Sequence, residues 1–158
     1  MSSHTIHVQV DDRYKTRVEP EVLREAAERT LVHQRVDDAH DMAVVVTGDQ
    51  VLRELNRRYR GLDMSTDVLA FPGETEGPFV APPGSRRYLG DVIISFPQAE
   101  AQAARAENEL TAELQLLVVH GVLHLLGYDD QTESAGARMW ELQQAVLDEL
   151  GVEVHITD

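Results

Sequence analysis

The chain has 158 residues and a mass of 17.7 kDa, with 42% apolar and 27% charged residues, enough for the core of one compact domain and too little for two. It has no cysteine, which excludes a disulfide framework, thiolate zinc or iron–sulfur sites and thiol catalysis. Fourteen basic residues stand against 28 acidic ones, a net −14 that is the wrong sign for a protein that coats RNA or DNA.

The opening MSSHTIHVQVDDRYK lacks the basic start and long apolar run of a secretory signal. The longest apolar-rich stretch, 114–128, is too short to span a membrane and holds two histidines. A soluble cytoplasmic domain without a membrane partner is therefore expected.

In TIHVQV (5–10), Ile6, Val8 and Val10 alternate on one face, as in a strand. Pro20 at a first turn and the following EVLREAAERTLVHQ predict a helix over about 19–34. MAVVVT (42–47) is a buried strand. The next segment, with Asp49 as N-cap and Gly61 past its end, is a helix. TDVLAFP (66–72) is a strand stopped by Pro72. Residues 73–85, rich in glycine and proline, form the one obvious loop. YLGDVIIS (88–95) is a fourth strand, and helices follow over about 97–107, 109–126 and 132–150.

Trp140, with Met139, Leu142, Val146 and Leu147, reads as core packing of the last helix. His4, His7, His33, His40 and His155 have no partner spacing and read as surface residues. The order β-α-β-α-β-β-α-α-α predicts an α+β single domain over 1–158: one four-stranded mixed sheet packed with about five helices. Strand order does not follow from this pattern.

The chemistry concentrates in VVHGVLHLLGYDD (118–130). His120 and His124 lie four positions apart, so on a helix both imidazoles project from one face, one turn apart. That spacing suits two ligands of one metal ion. It also suits two hydrogen-bonded core histidines. Leucines and valines surround them, and an unpartnered imidazole there would cost about 1–3 kcal/mol, which a metal would offset. Gly127 ends the helix and brings Asp129 or Asp130 within reach, so two histidines and a carboxylate supply three ligands and leave a position open.

HGVLHLLGYDD closely resembles the signature of the YbeY family, bacterial endoribonucleases of rRNA maturation and ribosome quality control, in which His-Gly-x-Leu-His-Leu-x-Gly-Tyr-Asp-His carries zinc. LNRRYRGLDMSTDVLAFP (55–72) and LGDVIIS (89–95) are similar to two further blocks of that family, in the same order. The resemblance runs over about residues 40–150. It implies a zinc-dependent, single-strand-specific endoribonuclease, with His120, His124 and Asp130 holding the ion and Arg60 stabilising charge during cleavage. Position 130 has aspartate where the family has a histidine, and Ala70 stands where it usually has serine. A carboxylate lowers the formal charge of the site by one unit, and the resulting donor set also suits iron or manganese.

Arg53, Arg57 and Arg58 are candidates for a local cationic track along an RNA backbone; Arg53 and Arg57 share a helix face, and pairing with Glu54 is the alternative. Asp67 and Asp91 recur in the family-like blocks and are expected to organise turns or hold Arg60. From residue 100 on, twelve acids face two bases, a net −10. That region would repel RNA or meet a basic ribosomal protein, with rRNA and the small ribosomal subunit as partners implied by the resemblance and no DNA. A non-catalytic assembly factor stabilised by its metal and another metal-dependent hydrolase are the competing readings.

Overall fold

The computed structural model describes residues 4–73 and 87–155. Its elements are β1 (Thr5–Val10), a 3₁₀ turn (Asp12–Tyr14), α1 (Pro20–His33), β2 (His40–Thr47), α2 (Asp49–Arg60), β3 (Val68–Pro72), β4 (Arg87–Ser95), α3 (Phe96–Ala106), α4 (Leu110–Leu125) and α5 (Glu133–Leu150). The sheet order is β1-β2-β4-β3. β1 and β4 run parallel to β2, and β3 runs antiparallel to β4 as an edge strand. The mixed sheet and the element order agree with the pattern read from the sequence. Apart from Gly73, the loop expected at 73–85 lies outside the described residues.

Alternation along β4 splits the core in two. Val92 and Ile94 face a large cluster shared with α1, α3, α4 and α5, while Ile93 joins Leu69, Phe71 and Leu52 under α2. Complete burial of a leucine such as Leu52 contributes about 1.5–3 kcal/mol, so these few side chains are enough to seat α2 on its face. On α5, Met139, Leu142, Val146 and Leu147 are buried as expected. Trp140 is not: it is half-buried and lies outside the core cluster, one residue off the apolar stripe.

Two local expectations are corrected. Gly48, not Asp49, caps α2; Asp49 is the first helical residue, and its carboxylate is engaged elsewhere. His4 is no free surface residue. Its Nε2 bonds the Val36 carbonyl at 2.9 Å and its Nδ1 accepts from the His40 backbone N–H at 3.1 Å, joining the starts of β1 and β2. Side-chain bonds across 32 and 36 residues leave no trace in local spacing.

Asp91 is 1% exposed on the α2 face of β4 and accepts a hydrogen bond from the Tyr88 hydroxyl. Burial pushes its carboxyl up to about 6, against the Tyr88 bond, which favours the charged form. A carboxyl with a folded pKa above its unfolded value binds more protons in the native state, so it subtracts stability as pH rises from about 4 to 6. The full loss at neutral pH is about 2–3 kcal/mol. Asp91→Asn is expected to flatten the fall in melting temperature between pH 4 and 7; an unchanged profile would place the titration elsewhere.

Candidate active site

β3 is the edge of the sheet, with α2 on one face and α4 on the other. A cleft of about 540 Å³ crosses that edge, lined by Asn56 and Arg60 of α2, the 62–67 loop, Val68, Ala70 and Pro72 of β3, and His120, Gly121 and His124 of α4. The loop is held from beneath. Asp49 accepts hydrogen bonds from Ser65, from Ser95 Oγ at 3.0 Å and from Gln98 Nε2 at 3.1 Å. These donors, Ser65 first, hold its carboxyl below the usual carboxylate range. Asn56 Nδ2 adds a bond to the Met64 carbonyl at 2.9 Å.

The two histidines come together as their spacing predicts: Nε2 of His120 and Nε2 of His124 are 3.0 Å apart. Two nitrogens bound to one tetrahedral zinc are about 3.3 Å apart, close to this separation. The far nitrogen of His120 bonds Gln143 Oε1, which fixes its N–H there and leaves Nε2 as an acceptor toward the cleft. The His124 ring is close enough to the Tyr128 backbone for that group to favour its charged form, and its Nε2 meets His120 beside the cleft. Burial nonetheless lowers the His124 pKa, with His120 adding to the shift. Two imidazole nitrogens this close, with the outer nitrogen of His120 anchored by Gln143, suit a shared metal ion as well as a hydrogen bond to each other.

Asp130 does not join the two histidines. It is exposed, lies against Gly136 of α5, and is near enough for its charge to act on His124. Among the described residues no three His, Cys, Asp or Glu side chains converge as a complete metal-binding group. Asp129 is committed to its own turn, accepting from the Gln131 N–H at 3.1 Å.

Arg60 lies across the cleft from the histidines. Its Nη2 donates to the Ala70 carbonyl at 3.3 Å, its guanidinium carbon is 5.8 Å from the centre of the Phe71 ring, and its charge acts on His124. Asp67 does not hold it: that carboxylate accepts from the Val68 N–H at 2.8 Å and from Gln102 Nε2 at 3.2 Å. Of the candidate RNA-binding arginines, Arg53 pairs with Asp63 at 2.9 Å and Arg57 with Glu54 at 2.6 Å, all exposed. Arg53, Arg57 and Arg60 recur at helical spacing along one stripe of α2; Arg58 falls off it and lies 5.6 Å from the centre of the Tyr59 ring.

Gln143 escaped the sequence reading, although it is a polar residue on the stripe Met139, Leu142, Val146 and Leu147. Such an interruption signals a buried polar partner. Gln143→Leu is expected to weaken zinc affinity by roughly 10–100-fold while α5 stays packed, measured by competition with a chromophoric chelator. Unaltered affinity would make the bond to His120 incidental.

A sequence model described as "Endoribonuclease YbeY" matches residues 4–151. An "Endoribonuclease YbeY" of Dehalococcoides mccartyi is 41% identical over 150 residues, covering 90% of this chain and 94% of its own. One of Roseiflexus sp. is 39% identical over 153 residues, covering 96% of each. A solution structure from Thermotoga maritima shares the fold, with a TM-score of 0.57 at 22% identity over 93% of this chain and 92% of that one. No helix among the described residues is long and apolar enough to cross a membrane. With a family match over nearly the whole chain and relatives near 40% identity at full length, this chain belongs to the YbeY family of endoribonucleases.

Proposed function

We propose that this protein is a metal-dependent endoribonuclease that cuts unpaired RNA during rRNA maturation and ribosome quality control. The observation that carries the reading is the pair of imidazole nitrogens, 3.0 Å apart, facing a cleft that also receives the Arg60 guanidinium. His120 and His124 would hold a zinc ion, with the Asp130 carboxylate turned inward from its exposed position as third ligand. Iron and manganese suit the same donors. Bound there, the ion supplies a Lewis acid and an acidified water.

The chain's own residues do the rest. Gln143 orients the His120 ring. Arg60, held by the Ala70 carbonyl, directs its remaining N–H donors at the negative charge that grows on phosphoryl oxygens. Arg53 and Arg57 continue that stripe, and their exposed ion pairs are weak enough for an RNA phosphate to displace the acids. Arg58, on another side of the helix, would meet RNA outside the cleft. The acid-rich last helix, α5, would face away from RNA or toward a basic protein of the small ribosomal subunit in the cytoplasm.

The test is turnover of an unstructured RNA by zinc-loaded protein. Arg60→Ala is expected to lower kcat about 100-fold with folding and zinc content retained. Full activity in that variant would remove Arg60 from the reaction. Absence of turnover in the unaltered protein would leave the assembly-factor reading in its place.

A further inference from the structure

The free edge of β3 forms the floor of the cleft, and its backbone groups can be assigned one by one. Ladder bonds run from Ser95 N–H to the Asp67 carbonyl at 2.8 Å and from Gly73 N–H to the Leu89 carbonyl at 2.9 Å. In an antiparallel pair, every second residue bonds its neighbour strand. Positions 67, 69, 71 and 73 therefore bond β4, and 68, 70 and 72 direct their N–H and C=O groups outward. The Arg60 bond to the Ala70 carbonyl agrees with that parity.

Most of this edge is already used. The Val68 N–H is taken by Asp67 Oδ1 at 2.8 Å, the Ala70 carbonyl receives Arg60, and Pro72 has no N–H. What remains is the Val68 carbonyl and the Ala70 N–H, which make no hydrogen bond among the described residues. An extended peptide laid along this edge would find one donor and one acceptor, too few to add a strand. A single planar group with an adjacent donor and acceptor would be fully served.

We propose that the Val68 carbonyl and the Ala70 N–H together form a subsite for the Watson–Crick edge of one unpaired nucleobase. The inference rests on reading the cleft as an RNA site. Adenine and cytosine offer an amino donor beside a ring-nitrogen acceptor, and guanine and uracil a ring N–H beside a carbonyl. All four fit the pair in one of two orientations. The subsite therefore does not select a base; it selects against base pairing, because in a duplex those same groups are occupied. Preference for single-stranded RNA follows from two backbone groups on a strand edge, with no dedicated side chain.

The experiment reads binding, so it does not depend on turnover. Affinity of the protein for a short unstructured RNA is measured by fluorescence anisotropy, with one abasic nucleotide walked along the strand. Ala70→Pro deletes only the outward N–H on an edge strand, where proline is tolerated. One position of the walk is expected to weaken binding about five- to tenfold in the unaltered protein and not in Ala70→Pro, which is itself weaker by the same factor. Should Ala70→Pro fail to fold, the Ala70 amide resonance of the unaltered protein serves instead. It should move downfield and become protected from exchange with unpaired RNA, and not with the duplex.

A flat abasic walk, or an Ala70 amide indifferent to RNA, overturns the proposal even if the RNA is cleaved. Binding with the expected pattern but without cleavage supports it and defeats the catalytic reading alone. An amide that responds to an extended peptide and not to RNA overturns it in favour of protein docking.

Discussion

His124→Ala is expected to lose bound zinc and to cut RNA at least about 1,000-fold more slowly than the unaltered protein, because one missing imidazole leaves a single histidine and an exposed carboxylate. Stability without metal should hardly change. The ring is half-buried, and burial disfavours its charge, so its removal costs little packing and relieves some desolvation. The zinc-dependent rise in melting temperature should vanish, which at a hundredfold excess over Kd is worth about 2.7 kcal/mol. Elemental analysis, thermal shifts with and without zinc and an RNA cleavage assay check the three outcomes on one preparation. Undiminished zinc in His124→Ala would sink the site.

The carboxylate is resolved by the same measurement. Asp130→Asn should weaken zinc binding tenfold or more. Asp129→Asn should not, because the Asp129 oxygen is already committed to the Gln131 N–H. Equal losses in both would mean that the turn, rather than one ligand, shapes the site.

The parts of this architecture that were legible in the sequence are periodic or local. Alternation in 5–10 and the β-branched run at 42–47 mark strands, and the four-residue interval of His120 and His124 fixes their common face. The parts that were not legible depend on distant segments. Asp49 looks like a helix cap in its own neighbourhood, and only the arrival of Ser65, Ser95 and Gln98 from 16 to 49 residues away turns it into the clamp of the cleft loop. Strand order is equally silent, yet it decides everything about β3. Had β3 paired on both sides, its edge would not line a cleft. Trp140 is the opposite case: its place beside a buried stripe predicts the burial of its neighbours, and helical geometry turns it away from them.

Gly121, between the two histidines, sets the second large effect. A Cβ at this position would lie 2.5 Å from Val92 Cγ1 and 2.9 Å from Cγ2, with Val92 fully buried in the central part of β4. Neither partner can yield cheaply, since one is helix backbone and the other a stiff β-branched side chain in the sheet. Gly121→Ala gains about 1 kcal/mol of helix propensity and loses about 1–3 kcal/mol to overpacking, so a modest net loss is expected. Gly121→Glu adds a carboxylate to the same apolar contact and should cost about 4 kcal/mol or more, leaving little folded protein. That position carries the general-base glutamate in proteases built on a His-Glu-x-x-His helix. Here α4 approaches β4 so closely that this base has no room, which separates the protein from those peptidases by packing as well as by chemistry. Urea unfolding of both variants, alone and combined with Val92→Ala, measures the contact. Trimming Val92 should return part of the loss in Gly121→Ala, and a Gly121→Glu protein with ordinary stability would show that the helix and sheet have space to separate.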